Sequence, residues 1–310
     1  MADHSAPPAC KYFNVTYPLP FVAHVEINRP DKMNAFKEEY VRISSFLDIC
    51  LSTVLTLDRM WHELPPLFTH LSTSPSTRAI ILSGAGPKAF TTGLDVQEAS
   101  QNSILGPNPD QSRPAPDGAR TATRLRRHVD AFQACISSIE RCEKPVVAAI
   151  HGWCLGLGVD ISVCCDVRIC ARETRFAVKE VDIGLAADIG TLSRLPKVVR
   201  SGSWVKDVCL SARDFGAEEA EKVGFVSWVG KNGGKEEVVK EALRWAEVVA
   251  GKSPVAVQGT KEVLNWSWNR SVEDGLRYTS VWNSAMLQSE DTREAVMSGI
   301  TKKKPRFAKL

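Results

Sequence analysis

Three observations predict an α/β fold. Phe21, Ala23, Val25 and Ile27 alternate with Val22, His24, Glu26 and Asn28, the period of a strand with one face buried, which places His24 on the wetter face. Ala79-Ile80-Ile81-Leu82 and Val146-Val147-Ala148-Ala149-Ile150 are short apolar runs closed by a nearby Gly, and they read as strands buried on both sides. Each is followed by a helix-like segment, so strands and helices alternate.

The segment NAFKEE after the first strand is helix-like, but Tyr40 to Arg59 (YVRISSFLDICLSTVLTLDR) follows it without a turn signal. Removing those residues joins Glu39 to Met60 and aligns Phe36, Met60 and Leu64 at i, i+4 and i+8 on one helix face. We therefore read Tyr40 to Arg59 as an insertion, of the kind a retained intron produces, against the rival of one elongated helix. Pro65-Pro66 is expected to end or kink the helix.

Four prolines and two glycines between Gln101 and Arg120 predict a surface loop. A helix then starts at Thr121, because Leu125, Val129, Phe132, Ile136 and Ile139 recur at steps of four and three. Gly152, Gly156 and Gly158 lie between the strand ending at Ile150 and an apolar helix beginning near Val159. Ser253-Pro254 marks a helix first turn, and two or three helices are expected from Val255 to Ile300. The chain divides into a core, residues 1–250, and a C-terminal helical region with a tail, residues 251–310.

Composition removes several function classes. At 44% hydrophobic and 24% charged the chain is an ordinary globular one, and much of its net charge of +3 comes from Lys302, Lys303, Lys304, Arg306 and Lys309. No nucleic-acid footprint is implied. Nine cysteines without a CxxC pair or a His cluster at zinc spacing predict buried thiols in a reducing compartment and no metal site. The N-terminus lacks a signal-peptide pattern, and no apolar run approaches the roughly 18 residues of a membrane span. Ala308-Lys309-Leu310 resembles the tripeptide address read by the peroxisomal import receptor, on a tail expected to be free.

Asp160, Glu180 and Asp188 stand in stretches that otherwise read as buried backbone. A carboxylate in such a place is costly unless hydrogen-bonded, and burial raises its pKa toward neutrality, so three of them predict proton-transfer chemistry. The glycines at 152, 156 and 158 allow backbone to approach a ligand, and the following helix N-terminus favours developing negative charge. GLGVDI lacks the third Gly of a dinucleotide turn. Asp166 and Arg168 read as a structural ion pair, Asp95 as a cap for the helix after Gly93, and His151 as a core histidine without triad partners.

The turns KAFTTGLD, from Lys88 to Asp95, and KPVVAAIHGWCLGLGVD, ending at Asp160, resemble the two signature segments of the crotonase (enoyl-CoA hydratase/isomerase) superfamily. Within it the resemblance is to the Δ3,5-Δ2,4-dienoyl-CoA isomerases, on VKEVDIGLAADIGTLSRLPKV and SPVAVQGTK, and it covers nearly the whole chain apart from Tyr40 to Arg59 and the proline-rich loop. Hydratases carry two glutamates at the positions of Asp160 and Glu180; Asp160 departs from that pattern and Asp188 adds a third acid.

The resemblance implies a ββα spiral core with a C-terminal α-helical trimerisation region, and a homo-oligomer, trimer or hexamer. It implies backbone N–H groups of Leu94 and Leu157 holding a thioester oxygen, with Lys88, Ala89, Phe90, Thr92, Gly93, Asp95, Val96, Gly156 and Gly158 lining the acyl-CoA site. Glu180 and Asp188 are then the proton carriers at C2 and C6, with Asp160 tuning them. Coenzyme A is part of the substrate, and no cofactor or metal is implied. Gly usually occupies the position of Leu157, and a side chain there strains the turn if φ is positive. The competing expectations are hydration of an enoyl-CoA and a non-catalytic RNA-binding or assembly role on the same fold.

Overall fold

The computed structural model describes residues 6–45, 52–97 and 117–310. A six-stranded sheet runs in the order β1 (Phe13–Leu19), β2 (Val22–Ile27), β5 (Ala79–Gly84), β7 (Val146–Ile150), β9 (Val167–Cys170), β12 (Trp228–Val229). Only β1 and β2 pair antiparallel in it. A smaller sheet runs β11 (Phe215–Gly216), β10 (Arg175–Ala177), β8 (Trp153–Leu155), β6 (Ala89–Thr91). The chain alternates between the sheets: β5 then β6, β7 then β8, β9 then β10. Helix α4 (Leu157–Cys164) follows β8, and a 3₁₀ turn at Glu180–Ile183 follows β10. That alternation is a ββα spiral.

The large sheet is covered on both faces. One face carries the main core, which includes Ala23, Val25, Ile27, Ile80, Leu82, Val146, Ala148 and Ile150; the other packs Val22, Ile81, Val147 and Ala149 on Val238, Ala242, Ala246 and Ala250 of α8 (Lys235–Ala250). His24 is consequently not on a wet face. It lies half-buried with Nε2 2.8 Å from Ser83 Oγ, beside the ion pair of Glu26 with Lys235 from α8. α8 screens that face from water, which alternation in one strand does not reveal.

Residues 40–59 are not part of a helix. β3 (Glu38–Ser45) and β4 (Ser52–Arg59) form an antiparallel ribbon from Glu38↔Arg59 to Ser45↔Ser52, which pairs with no other described strand. Residues 46–51 lie outside the described residues. An excursion that leaves and re-enters at neighbouring points fits the insertion and excludes the elongated helix. The predicted helix around NAFKEE is absent as well, because Phe36 makes a parallel bridge to Leu94 instead. Phe36, Met60 and Leu64 still meet in the main core. Met60–Glu63 is a 3₁₀ turn that leads into α1 (Leu64–Thr73), and Pro65-Pro66 opens that helix, since its first turn needs no N–H.

Most of the proline-rich loop lies outside the described residues. Its end is helical: α2 (Gly118–Ile136) starts three residues earlier than expected, capped by Asp117, whose carboxylate accepts from Arg120 N at 2.9 Å. The C-terminal region holds three helices, α9 (Pro254–Ser267), α10 (Val272–Met286) and α11 (Glu290–Thr301). Ser253 caps the first of them, with Pro254 in its first turn. No described helix is long and apolar enough to cross a membrane.

The tail is not free. Arg78 Nη2 donates to the carbonyls of Phe307 and Ala308 at 2.8 Å each, and Nη1 donates to Ala250 O at 3.2 Å. A buried guanidinium needs acceptors, and the tail backbone supplies two of them. Lys309 and Leu310 remain exposed beyond this clasp.

Candidate active site

β6, β8 and β10 are parallel neighbours in the small sheet, so their C-terminal ends face the same way. After β6 come Gly93 and Leu94; after β8 come Gly156, Leu157 and Asp160; after β10 comes Glu180. Open parallel sheets place ligands at such an edge. Register makes the convergence specific: Leu155 pairs with Ala177, and Gly156 N donates to Ala177 O at 2.9 Å.

The two predicted amides lie in adjacent turns. A Cβ built on Gly93 (φ 89°) would stand 3.3 Å from Leu157 N and 2.8 Å from Leu155 O, so the turns touch only because residue 93 is Gly. Phe36 N donates to Gly93 O and Asp95 N to Phe36 O, and this parallel bridge turns the Leu94 N–H to the opposite side. Leu157 opens helix α4, so its N–H has no partner within the helix. Neither amide has a hydrogen-bond acceptor among the described residues. Two unpaired N–H groups side by side suit an oxygen that gains negative charge.

Leu157 brings no strain. The positive φ of the turn is at Gly156 (φ 50°), while Leu157 is helical with its side chain in the main core. Gly156 also makes room for an acid, since a Cβ there would lie 3.0 Å from Glu180 Oε1. Gly152 and Gly158, by contrast, admit protein. A Cβ on Gly152 would collide with Lys88 O, and one on Gly158 would lie 3.0 Å from Thr91 O.

Asp160 is 1% exposed inside α4. Its Oδ1 accepts from Thr191 N at 2.6 Å and Thr191 Oγ1 at 2.7 Å, at the start of α5 (Thr191–Val198). Burial pushes its pKa up to about 6, against the Thr191 hydrogen bonds, which lower it, with Asp188 adding to the rise. Glu180 goes up to about 7, from burial first and then the charges of Asp160 and Asp188. Its Oε2 is buried with no hydrogen-bond partner among the described residues. Asp188 is exposed on the loop before α5; partial burial raises its carboxyl and nearby His128 opposes the rise. Gln133 of α2 donates to Asp188 O at 2.5 Å. Asp188 thus raises both buried acids, and Asp160 raises Glu180.

Other candidates separate. Lys88 is exposed, Ala89 and Phe90 are buried, and Thr92 and Val96 lie at the turn surface. Asp95 pairs with Arg29 at 2.9 Å just before the helical turn that starts at Val96, so its carboxylate anchors the turn to the N-terminal strands. Asp166 pairs with Lys261 at 2.7 Å rather than with Arg168, whose guanidinium donates to the carbonyls of Phe225, Cys165 and Ser162. Three backbone carbonyls fill the guanidinium of Arg168, and Asp166, just before the strand, meets the Lys261 ammonium from α9 instead. His151 is buried with Nε2 2.9 Å from Gly86 O. Cys164 and Cys165 are buried free thiols.

Sequence reasoning missed Thr191 and Arg194. The Gly190-Thr191 pair before a helix was the available signal. A cavity of about 980 Å³ lies behind the site between the core and α9 and α10, and of the three acids only Asp188 lines it.

Residues 56–309 match the family described as Enoyl-CoA hydratase/isomerase. The chain belongs to that family. Among enoyl-CoA hydratase/isomerase relatives it is 43% identical to the peroxisomal Δ(3,5)-Δ(2,4)-dienoyl-CoA isomerase of Arabidopsis thaliana, over 93% of each chain. It is 40% identical to the mitochondrial protein of that name from Rattus norvegicus, over 96% of this chain and 82% of the other. The crystal structure of an enoyl-CoA hydratase from Bacillus anthracis superposes with a TM-score of 0.78 at 24% identity, covering 97% of this chain and 100% of that one. The crotonase fold of the family is therefore the fold of this chain, and the amide pair and the acids stand on its spiral.

Proposed function

We propose that the protein converts 3,5-dienoyl-CoA to 2,4-dienoyl-CoA in the breakdown of unsaturated fatty acids. The observation that carries this reading is the unpartnered, buried Oε2 of Glu180, held beside two free amides and two further carboxyls. The names of relatives with about two fifths identity point to the same reaction.

The C2 protons of a 3,5-dienoyl thioester are acidified by the carbonyl and the adjacent double bond. Ionised Glu180 removes one of them while the N–H groups of Leu94 and Leu157 hold the enolate oxygen. The electron pair spreads along the conjugated chain to C6, where protonated Asp188 delivers a proton; the double bonds now lie at C2 and C4. Glu180 ends protonated and Asp188 ionised. Exposed Asp188 regains a proton from water and Glu180 returns its own, which closes the cycle without a cofactor or metal.

The turn from Thr92 to Val96, with Gly156, is the acyl-CoA side of this site, while buried Ala89 and Phe90 and the protein-packed Gly158 support it from behind. The tripeptide Ala308-Lys309-Leu310 and the peroxisomal relative support a peroxisomal location read by the import receptor. Exposed Leu264, Val272, Leu276, Val281 and Leu287 on α9 and α10, and just beyond α10, support a homo-oligomer through the C-terminal helices.

The test is an ultraviolet assay with a 3,5-dienoyl-CoA, following the conjugated 2,4-dienoyl thioester. Glu180→Gln and Asp188→Asn are each expected to reduce turnover by about 10²–10⁴-fold. A 3-hydroxyacyl product from a 2-enoyl-CoA, without isomerisation, replaces this reading with hydration.

A further inference from the structure

We propose that Thr191 is a positioning residue: its hydroxyl and amide lock one oxygen of Asp160, keep that carboxylate charged, and leave Glu180 as the carboxyl that carries the proton. The inference rests on the proton transfer proposed for Glu180, and nothing in that reading gives Thr191 a role.

The two buried acids have opposite surroundings. Asp160 is enclosed by its own helix and receives two donors on a single oxygen. One of these is the first amide of α5, which helix geometry leaves free and which carries the positive end of that helix. Thr191 is itself fully buried, so neither donor is shared with water. Gly190 lets the helix end come this close: a Cβ there would strike Arg194 Nη1 and lie 3.9 Å from Asp160 Oδ1. Arg194 adds positive charge but is already bound to Glu140 and Ser137. Glu180 has no donor on Oε2.

Hydrogen bonds to a carboxylate favour its charged form, and a charged neighbour disfavours ionisation of the next carboxyl. Donors on Asp160 therefore act twice, lowering its own pKa and raising that of Glu180. The charged or titratable groups that face Asp160 are Glu180, Asp188, Arg194 and the thiols of Cys154, Cys164 and Cys209. Glu180 also faces Asp188 and Cys209. Those thiols hold their protons well above neutral pH or are raised by burial, so among these groups the carboxyls govern the titration near pH 7.

Thr191→Val removes the hydroxyl donor and keeps the amide. Asp160 then takes up a proton more readily, and the midpoint of Glu180 falls by about one pKa unit. Two readouts follow it: the limb of kcat/KM against pH that Glu180 sets, and the ¹³C chemical shift of the Glu180 carboxyl in labelled protein without substrate. Thr191→Ser is expected to restore both. A kcat lowered by the same factor at every pH, with the Glu180 midpoint unmoved, assigns Thr191 a structural role and overturns the proposal. Asp160→Asn provides the check if Thr191→Val fails to fold: an unchanged Glu180 midpoint in that variant overturns it equally. Wild-type protein that does not isomerise, yet shows the Glu180 midpoint moving in Thr191→Val, defeats the isomerase reading and leaves this one standing.

Discussion

The Cβ that Gly156 lacks would stand 3.0 Å from Glu180 Oε1. Gly156 also holds a backbone of φ 50° and ψ −115°, which L side chains rarely adopt. Gly156→Ala is therefore expected to fail twice, by backbone strain of about 1–3 kcal/mol and by displacing the base. Thermal melting reads the first effect and kcat the second. A variant with wild-type kcat removes the claim that this glycine makes room for Glu180.

The raised carboxyls make a pH prediction with a definite shape. Glu180 acts ionised and Asp188 protonated, so kcat/KM is expected to be bell-shaped in pH, with one limb near 7 set by Glu180. Activity at a constant level from pH 5 to pH 8 contradicts Glu180 as the base.

Stability responds to the same group. Glu180 binds its proton more tightly folded than unfolded, so its contribution is present at acid pH and is lost as pH rises from its ordinary value of 4.5 through about 7. Glu180→Gln is expected to match wild type at pH 4 and to exceed it by about 1–3 kcal/mol at pH 8, while losing activity. Denaturant unfolding at the two pH values measures the difference; equal stability at pH 8 shows that the ionised carboxylate is not penalised.

Arg78 makes the tail a measurable device. Arg78→Ala removes both tail hydrogen bonds, and release of Leu310 by a carboxypeptidase is expected to quicken about tenfold, the factor that ~1.4 kcal/mol supplies. Circular dichroism checks that the fold survives loss of the Ala250 contact. An unchanged release rate means that the clasp does not restrain the tail.

Much of this molecule is legible in sequence because its signals are local. Strands at Val22–Ile27 and Val146–Ile150 follow from apolar period and run length, and the buried acids stand out as charges in apolar surroundings. What stays hidden depends on contacts distant in sequence. Whether His24 meets water is decided by α8, at the other end of the core, and the partner of Asp166 is Lys261 on α9 rather than Arg168 two positions along. Thr191 gives only a helix-start signal, since a hydroxyl aimed at a buried carboxylate reads like any cap. Pro65 and Pro66 read as a stop in sequence and act as a start in the fold, because position within a helix cannot be judged until its first residue is known.

The ribbon at residues 38–59 can be shortened on the same grounds that revealed it. Replacing residues 40–57 by Asn-Gly leaves Glu38, Glu39, Asp58 and Arg59 to close a two-residue turn. The change in stability is expected to stay below about 1 kcal/mol, a few degrees in Tm. An aggregated or unfolded product shows that the core depends on the ribbon.

Because Glu38 and Arg59 face each other in register, and Met60 N donates to Lys37 O at 3.2 Å immediately below them, the body of the protein holds this stretch as a doorway whose two posts are tied to each other. What passes through is therefore expected to lengthen, shorten or change in character with the Phe36–Leu94 bridge left in place. Such a position is where a lineage can try out new sequence at little risk, and where a tag or a second domain can be grafted into the middle of the chain rather than at its ends.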